Sequence, residues 1–391
     1  MTEIEIVART GVGAPVERVV CHPTLGLFAN LDANRPVVRV WEVGPGLLRE
    51  LDVVGGDASD YPEDGWERFA MTPSVAWHPS LPLLLVVASG RVSRWTPEGV
   101  SELAGLPAGA AYRTVAFSPD GHTLWATPAA DGREASDAVD LETGEARAGR
   151  WWDTGVTIHP AGGLVATLCS NQGMTLGMFA RVEAGRPASM RMLRQALVLD
   201  ADAYAAPVFS PDGRFVAVRG NAYVQSLDVF TFPELETVLK AELDDPDPAW
   251  SRHDIAFDAR GVLWIGTPDG TLLEVDLDVR ETTAHPGPGS PVTSLAATAT
   301  GDLLVATAEP GLVLVAAPGG PPPRASGEAV VVFLADTTEV PDDGDLEQHV
   351  VFTDGSRSWG PSELEELTAA EGNDPMWLRH RAAVNNAMRE A

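Results

Sequence analysis

The chain has 391 residues, of which 45% are hydrophobic, so it is long enough and apolar enough to bury a sizeable core. Its 56 acidic and 27 basic residues give a formal net charge of −29, which repels nucleic acids and anionic membrane surfaces. We therefore expect neither as a partner. The acidic N-terminus does not resemble a secretory signal, and no apolar run reaches the ~18 residues of a membrane span, so the cytoplasm is the expected compartment.

A β-hairpin pattern recurs along the chain. Its clearest copy is TVAFSPDGHTLWAT at residues 114–127, where strand-forming residues flank the turn Ser-Pro-Asp-Gly. Seven such segments align, at residues 19–31, 75–88, 114–127, 156–168, 208–218, 255–267 and 292–307. Their turns are spaced 40 to 56 residues apart, which suits four-stranded propeller blades of ~40–50 residues. The spacing predicts an all-β fold, a seven-bladed β-propeller over residues 1–320.

Closing the ring requires a strand from one end of the chain to complete a blade, since an open ring leaves a bare sheet edge. The sequence EIEIVA at 3–8 alternates charged and apolar residues, as an outer strand does. We predict that it pairs with the last repeat near 312–316. The run AVVVFL at 329–334 is the alternative for this position.

Two motifs resemble those of WD-repeat propellers. VVRVWEV at 37–43 resembles the third strand of a WD repeat, with Trp41-Glu42 where the family has Trp-Asp. The pentapeptide FSPDG, at 117–121 and again at 209–213, resembles the turn between the first two strands. No Gly-His dipeptide precedes the first strands. The resemblance covers about residues 1–320 and implies a propeller that serves as a protein-interaction scaffold.

The segment after the repeats differs in character. A Pro- and Gly-rich linker at 318–326 leads into an α+β tail at 327–391, with strands predicted at 330–335 and 349–353. Ser362 and Glu365 have capping-box spacing for a first helix, and Asp374-Pro375 starts a second. The acidic loop at 342–345 lacks the spacing of a calcium loop and is expected to be solvated.

The second tail helix combines an apolar face with basic residues. Trp377, Val384 and Met388 repeat at helical spacing, and Arg379 and Arg381 add positive charge to an acidic protein. A tail this short buries little surface alone, so we expect these residues to dock. They dock either on the propeller or on a partner.

In WD-repeat propellers the loops before the innermost strands surround one mouth of the channel, and here these loops are rich in aromatic and arginine residues. Such side chains anchor many binding sites, because they desolvate a large area and keep a polar group. The alternative is structural, with tryptophans wedged between blades and arginines paired with acidic residues. The candidate binding residues are Arg18, Tyr112, Arg113, Trp152, Asp153, Tyr204, Trp250, Arg252 and His253.

No catalytic constellation is apparent in the sequence. His22, His78 and His159 each precede a proline, but they belong to separate blades, so we expect a turn role and neither a metal nor another cofactor. His253 and Asp254 are adjacent on a strand and should point to opposite faces. The sequence therefore favours a non-catalytic scaffold for a protein or peptide. The alternative is a propeller hydrolase or lyase acting on a small molecule in the channel.

Overall fold

The computed structural model describes residues 4–62, 65–129, 135–171, 174–199, 204–220, 225–243, 250–317, 325–341, 346–370, 372, 374 and 376–390. Within these ranges seven sheets are formed, each built on antiparallel strands that follow one another along the chain, and two of them also include strands from a distant part of the chain. The predicted all-β, seven-bladed propeller is confirmed. The loop predicted at 342–345 lies outside the described residues.

The first three blades are regular four-stranded meanders. Their strands are β2 (Val16–Cys21), β3 (Leu27–Asp32), β4 (Val38–Gly44) and β5 (Leu47–Val54) in blade one; β6 (Ser74–Trp77), β7 (Leu84–Ala88), β8 (Arg91–Thr96) and β9 (Gly99–Glu102) in blade two; and β10 (Tyr112–Phe117), β11 (Thr123–Pro128), β12 (Ala135–Asp140) and β13 (Ala146–Arg150) in blade three. The helix α1 (Gly65–Met71) connects blades one and two.

Blade four has two additional strands. Its sheet contains β14 (Thr154–Ile158), β15 (Leu164–Asn171), β16 (Met174–Glu183) and β17 (Ser189–Leu199), followed by β29 (Val351–Thr353) and β30 (Ser358–Trp359) from the tail. The strand β29 runs parallel to β17, with Phe352 opposite Ala196. The tail is thus part of the propeller's sheet structure.

The remaining blades complete the ring. Their strands are β18 (Val208–Phe209), β19 (Phe215–Gly220), β20 (Gln225–Thr231) and β21 (Thr237–Leu243) in blade five; β22 (Ile255–Phe257), β23 (Leu263–Gly266), β24 (Leu272–Asp276) and β25 (Glu281–His285) in blade six; and β26 (Val292–Ala297), β27 (Leu303–Thr307), β28 (Gly311–Ala316) and β1 (Glu5–Gly11) in blade seven. The N-terminal strand β1 pairs antiparallel with β28. The two ends of the repeat region therefore form one blade.

The run 329–334 is helical, not a strand. It lies in α2 (Gly327–Ala335), where the Ser326 hydroxyl caps the helix by accepting a hydrogen bond from the Glu328 amide over 3.1 Å. Val330 and Phe333 are three residues apart and both buried, so helical periodicity brings them to the blade while strand periodicity would separate them. The β-branched residues of this run favour a strand by their intrinsic propensity. The run is nevertheless helical because the helix packs its buried residues against the blade.

Three more helices complete the tail: α3 (Leu346–His349), α4 (Pro361–Glu366) and α5 (Met376–Glu390). The N-cap of α4 is Gly360, two residues before the predicted Ser362, and the Glu363 carboxylate accepts from the Gly360 amide over 2.7 Å. No helix in the described ranges is long and apolar enough to cross a membrane.

The core is divided among the interfaces between blades. Seven apolar clusters are found among the described residues, and each joins two neighbouring blades, including the pair formed by blades seven and one. Each blade therefore buries both of its faces, and the innermost strands are left to surround a central channel.

Candidate functional site

The channel has a volume of about 1010 Å³ and is lined by the innermost strand of every blade. One end, the charged mouth, carries Glu17, Arg18, Arg113, Asp153, Arg252 and His253. The other end, the proline mouth, carries Pro23, Pro79, Pro119, Pro160 and Pro211. The two ends of the channel thus have different chemistry, and the charged mouth is the candidate binding site.

Backbone bulges position several residues of the charged mouth. The pairing of the innermost strand is shifted by one residue at Glu17, Arg113 and Gly155, near the start of β2, β10 and β14. A bulge inserts an unpaired residue and redirects its side chain, and bulges are frequent at barrel rims and next to active sites. The same local feature therefore places groups from different blades at one rim.

Two contacts link α1 to this rim. Arg68 on α1 donates to the Glu17 carboxylate over 3.1 Å. The Arg113 guanidinium lies 3.8 Å from the centre of the Phe69 ring, a cation–π contact. Glu17 and Arg113 are therefore each held by a neighbouring element.

Arg18, Arg252 and His253 form a separate group contributed by blades one and six. Arg252 Nε donates to His253 Nε2 over 3.4 Å. Burial and, to a smaller extent, the nearby Arg252 charge lower the pKa of Arg18 to about 10, while the Glu17 charge opposes the shift. Burial and the charges of Arg18 and Arg252 hold the pKa of His253 well below its usual range, so its imidazole is neutral at physiological pH.

The side chain of Asp254 points away from this group. Asp254 and Arg219 are both fully buried, and Arg219 Nε donates to Asp254 Oδ1 over 3.1 Å across the interface of blades five and six. Burial raises the pKa of Asp254 to about 6, against the lowering effect of Arg219. Asp254 is therefore committed to Arg219 and does not orient His253. A charged residue inside the apolar strand FVAVRG was the sequence signal for this pair.

Three of the predicted binding residues are buried, two of them away from the channel. Tyr112, Trp152 and Tyr204 are at most 3% exposed. Tyr112 donates from its hydroxyl to Asp137 over 2.9 Å, and Trp152 packs in the cluster between blades three and four. Tyr112 and Trp152 do not line the channel and match the structural alternative, whereas Tyr204 lines the channel wall. Trp250 is half-buried against blades five and six.

The tail docks on the propeller by a different helix face from the predicted one. Leu378, Ala382 and Asn385 of α5 are buried, whereas Val384 is 37% and Met388 64% exposed. Trp377 packs against Phe352, with ring centres 5.1 Å apart. Arg379 is exposed and Arg381 is half-buried. No tail residue lines the channel in the described part of the chain, so the docked tail leaves the channel open.

The three His-Pro histidines cap turns near the proline mouth. The Nδ1 atom of His22 accepts from the amides of Thr24 and Leu25, and that of His159 from the Ala161 amide. The Nε2 atom of His159 then carries the proton and donates to the Gly213 carbonyl of blade five over 3.1 Å. A Cβ atom on Gly213 would lie 2.5 Å from the His159 ring, so only glycine fits there. These histidines hold turns and neighbouring blades together.

This turn chemistry predicts a loss of stability in mild acid. Burial lowers the pKa of His22, His78 and His159 below the usual 6.5. As the pH falls, these histidines are therefore protonated in the unfolded chain before they are protonated in the folded chain. Their contribution to the free energy of unfolding is fully present above about pH 6.5 and decreases below that pH. We expect the urea midpoint to decrease from pH 7 to pH 5.

A matched variant tests the histidine origin of this acid loss. The double change His159→Ser with Ala161→Asp converts His-Pro-Ala-Gly into the Ser-Pro-Asp-Gly of blades three and five. There the serine hydroxyl and the aspartate cap the turn, as when the Thr123 amide donates to Ser118 Oγ over 3.0 Å. The variant should lose less stability than the wild type between pH 7 and pH 5. An unchanged pH slope would rule out His159 as a contributor.

The ring and its channel define the chain as a seven-bladed β-propeller protein. No protein-family model matches the sequence, and no curated protein matches it. Among solved structures it resembles Kuenenia stuttgartiensis hydrazine synthase, with a TM-score of 0.55, 16% identity and coverage of 79% of this chain and 97% of that chain. It also resembles the Cps50 (Swd1) β-propeller domain of Myceliophteria thermophila, with a TM-score of 0.55, 12% identity and coverage of 80% and 99%. At these identities the likeness concerns the fold alone.

Proposed function

We propose that this propeller is a protein-interaction scaffold that binds a segment of a partner protein at the charged mouth. The observation that carries the proposal is the channel whose mouth presents Arg18, Arg113 and Arg252, with Arg113 lying over the Phe69 ring. Arginine and aromatic groups are enriched where partners bind tightly, because they keep directional contacts after losing water. The WD-repeat resemblance of 37–43 and of the two FSPDG turns supports the same function.

The outward face of α5 is a second surface that we propose for the same partner. Met388 and Val384 are exposed there, and Arg379 adds a positive charge to an acidic protein. Because α5 is already docked through its other face, this surface needs no folding on binding. A partner seated at the mouth and on α5 would be held at two points, which increases its effective affinity.

Affinity purification of the tagged full chain from its native host tests the scaffold. The wild type should capture a stoichiometric partner, identified by mass spectrometry, and the variant Arg18→Ala/Arg252→Ala should not. The control Arg49→Ala/Arg147→Ala removes two exposed arginines from the outer strands β5 and β13 and should capture the partner normally. Recovery of a lone chain from the wild type would contradict the scaffold, and equal capture by the mouth variant would contradict binding through Arg18 and Arg252.

One observation favours a channel enzyme as a second candidate. Arg113, Asp153 and His253 come from blades three, four and six, and all three line the same channel. A neutral histidine with a carboxylate and an arginine in one cavity supplies proton-transfer and charge-stabilising groups for a hydrolase or lyase. A small molecule that copurifies with a lone chain, and that is consumed by the wild type but not by His253→Gln, would select this candidate over the scaffold.

A further inference from the structure

In the part of the chain that the structure describes, Arg18 and Arg252 lack an acidic partner, whereas many other arginines form ion pairs. Both are half-buried in the channel wall. Within the described residues, Arg252 hydrogen-bonds only to His253 through its side chain, and the Arg18 side chain makes no hydrogen bond. Arginines in ion pairs elsewhere include Arg39, Arg49, Arg147, Arg214, Arg260 and Arg357. With 56 acidic residues in the chain, carboxylates are not scarce.

The acidic residue next to Arg18 in the sequence, whose charge raises the pKa of both arginines, is hydrogen-bonded to another cation. Glu17 precedes Arg18 in the bulge of β2, but its carboxylate accepts from Arg68 over 3.1 Å. Two like charges thus share one cavity while their neighbouring carboxylate is paired with a third cation. Partial loss of water disfavours the charge of both arginines, and the Arg252 charge further disfavours that of Arg18. An external anion would relieve both effects.

We propose that the charged mouth binds an anionic oxygen group, a carboxylate or a phosphate, through Arg18 and Arg252. A guanidinium presents a planar fork of donors that matches these groups, and its charge-assisted hydrogen bonds strengthen where water is displaced. His253 adds a neutral polar group beside Arg252 and no third positive charge. Glu17 and Asp153 on the same rim disfavour ligands with many negative charges. The inference rests on the proposed function, since it names the chemical group that this binding site recognises.

Calorimetric titration of the full chain tests the site with two probes. Inorganic phosphate represents a free small anion, and the peptide acetyl-Gly-Glu-Glu-Gly-amide represents an acidic partner segment. Saturable binding of either probe at constant ionic strength supports the site, and the tighter probe identifies the source of the anion. The peptide with glutamine in place of glutamate should not bind. Absence of saturable binding for both probes overturns the inference.

The variants Arg18→Met, Arg252→Met and their combination separate binding from a structural role. Each substitution should weaken the probe by about 10- to 100-fold, the usual range for a hydrogen bond to a charged group. The melting temperature without ligand should be no lower than in the wild type, because an unpaired half-buried charge is removed. A lowered melting temperature with unchanged probe affinity shows a structural role and overturns the inference.

The outcome also distinguishes this inference from the scaffold proposal. Saturable probe binding that Arg18→Met abolishes, in a chain that captures no partner, retains the anion site and rejects the scaffold. Partner capture that survives in Arg18→Met/Arg252→Met rejects the anion site and retains a scaffold that uses other residues. The control Arg49→Met/Arg147→Met should bind the probes as the wild type does.

Discussion

Replacing Asp254 by alanine is expected to lower the free energy of unfolding by about 3–5 kcal/mol. The Asp254 and Arg219 side chains are both fully inaccessible to water, and Arg219 connects blade five to blade six through this carboxylate. Arg219 also donates to the Ser226 carbonyl over 2.9 Å, so its guanidinium cannot turn out to solvent without breaking contacts. The substitution therefore leaves a charge inside the protein with no carboxylate. Urea unfolding followed by tryptophan fluorescence measures the loss.

Two further variants show whether the cost arises from the unpaired charge. Arg219→Met with Asp254→Leu replaces the pair by apolar groups, and its stability should return close to that of the wild type, since both buried charges are removed together. Asp278→Ala breaks the exposed Arg214–Asp278 pair, joined at 2.8 Å, and should cost less than about 1 kcal/mol. A loss in Asp254→Ala no larger than that in Asp278→Ala would show that the buried pair does not stabilise the blade interface.

The propeller was predictable because its blades are specified locally. The turn at Ser118, Pro119, Asp120 and Gly121 connects two strands within one short segment, and Gly121 has a φ of +75° that favours glycine. The Thr123 and His122 amides donate to Ser118 Oγ and Asp120 Oδ1 inside the same turn. Since every contact is close in sequence, the pattern of one blade is visible without knowledge of the others, and its repetition predicts the ring.

The candidate site was only partly predictable because a loop position does not determine burial. Arg18, Arg113, Arg252 and His253 line the channel as expected, whereas Trp152 from an equivalent loop is fully buried. Trp152 is covered by apolar residues of blades three and four and of the tail, which are distant in sequence. The sequence shows which residues precede an innermost strand, and packing between blades decides which of them reach the channel.

The tail illustrates the same limit. The helix pattern of 377–388 is correct in period, but the buried residues include Leu378 and Ala382 and not Val384 or Met388. A helix with apolar residues on two faces does not show from its sequence which face is covered. The position of the tail on the propeller is set by the parallel pairing of β29 with β17, which joins positions far apart in the chain.

Replacing Phe352 by alanine is expected to cost about 3–5 kcal/mol of stability and to loosen the tail. Phe352 is fully buried, lies opposite Ala196 of β17, and packs on Trp377 of α5. Its removal leaves a cavity at the point where the blade, β29 and α5 meet. Hydrogen exchange should then speed up at the amides of β29 and of its neighbour β17. Urea unfolding measures the accompanying change in free energy.

An exposed tail residue provides the matched control for this docking contact. Met388→Ala truncates a side chain of α5 that is 64% exposed, and its effect should stay within about 0.5 kcal/mol with unchanged hydrogen exchange in β17. The tail also contacts blade five, where the Thr237 amide donates to the Gly355 carbonyl over 2.9 Å. Phe352→Ala should therefore loosen β29 and α5 while the blade-five contact persists. Equal stability of the two variants would mean that Phe352 does not anchor the tail to blade four.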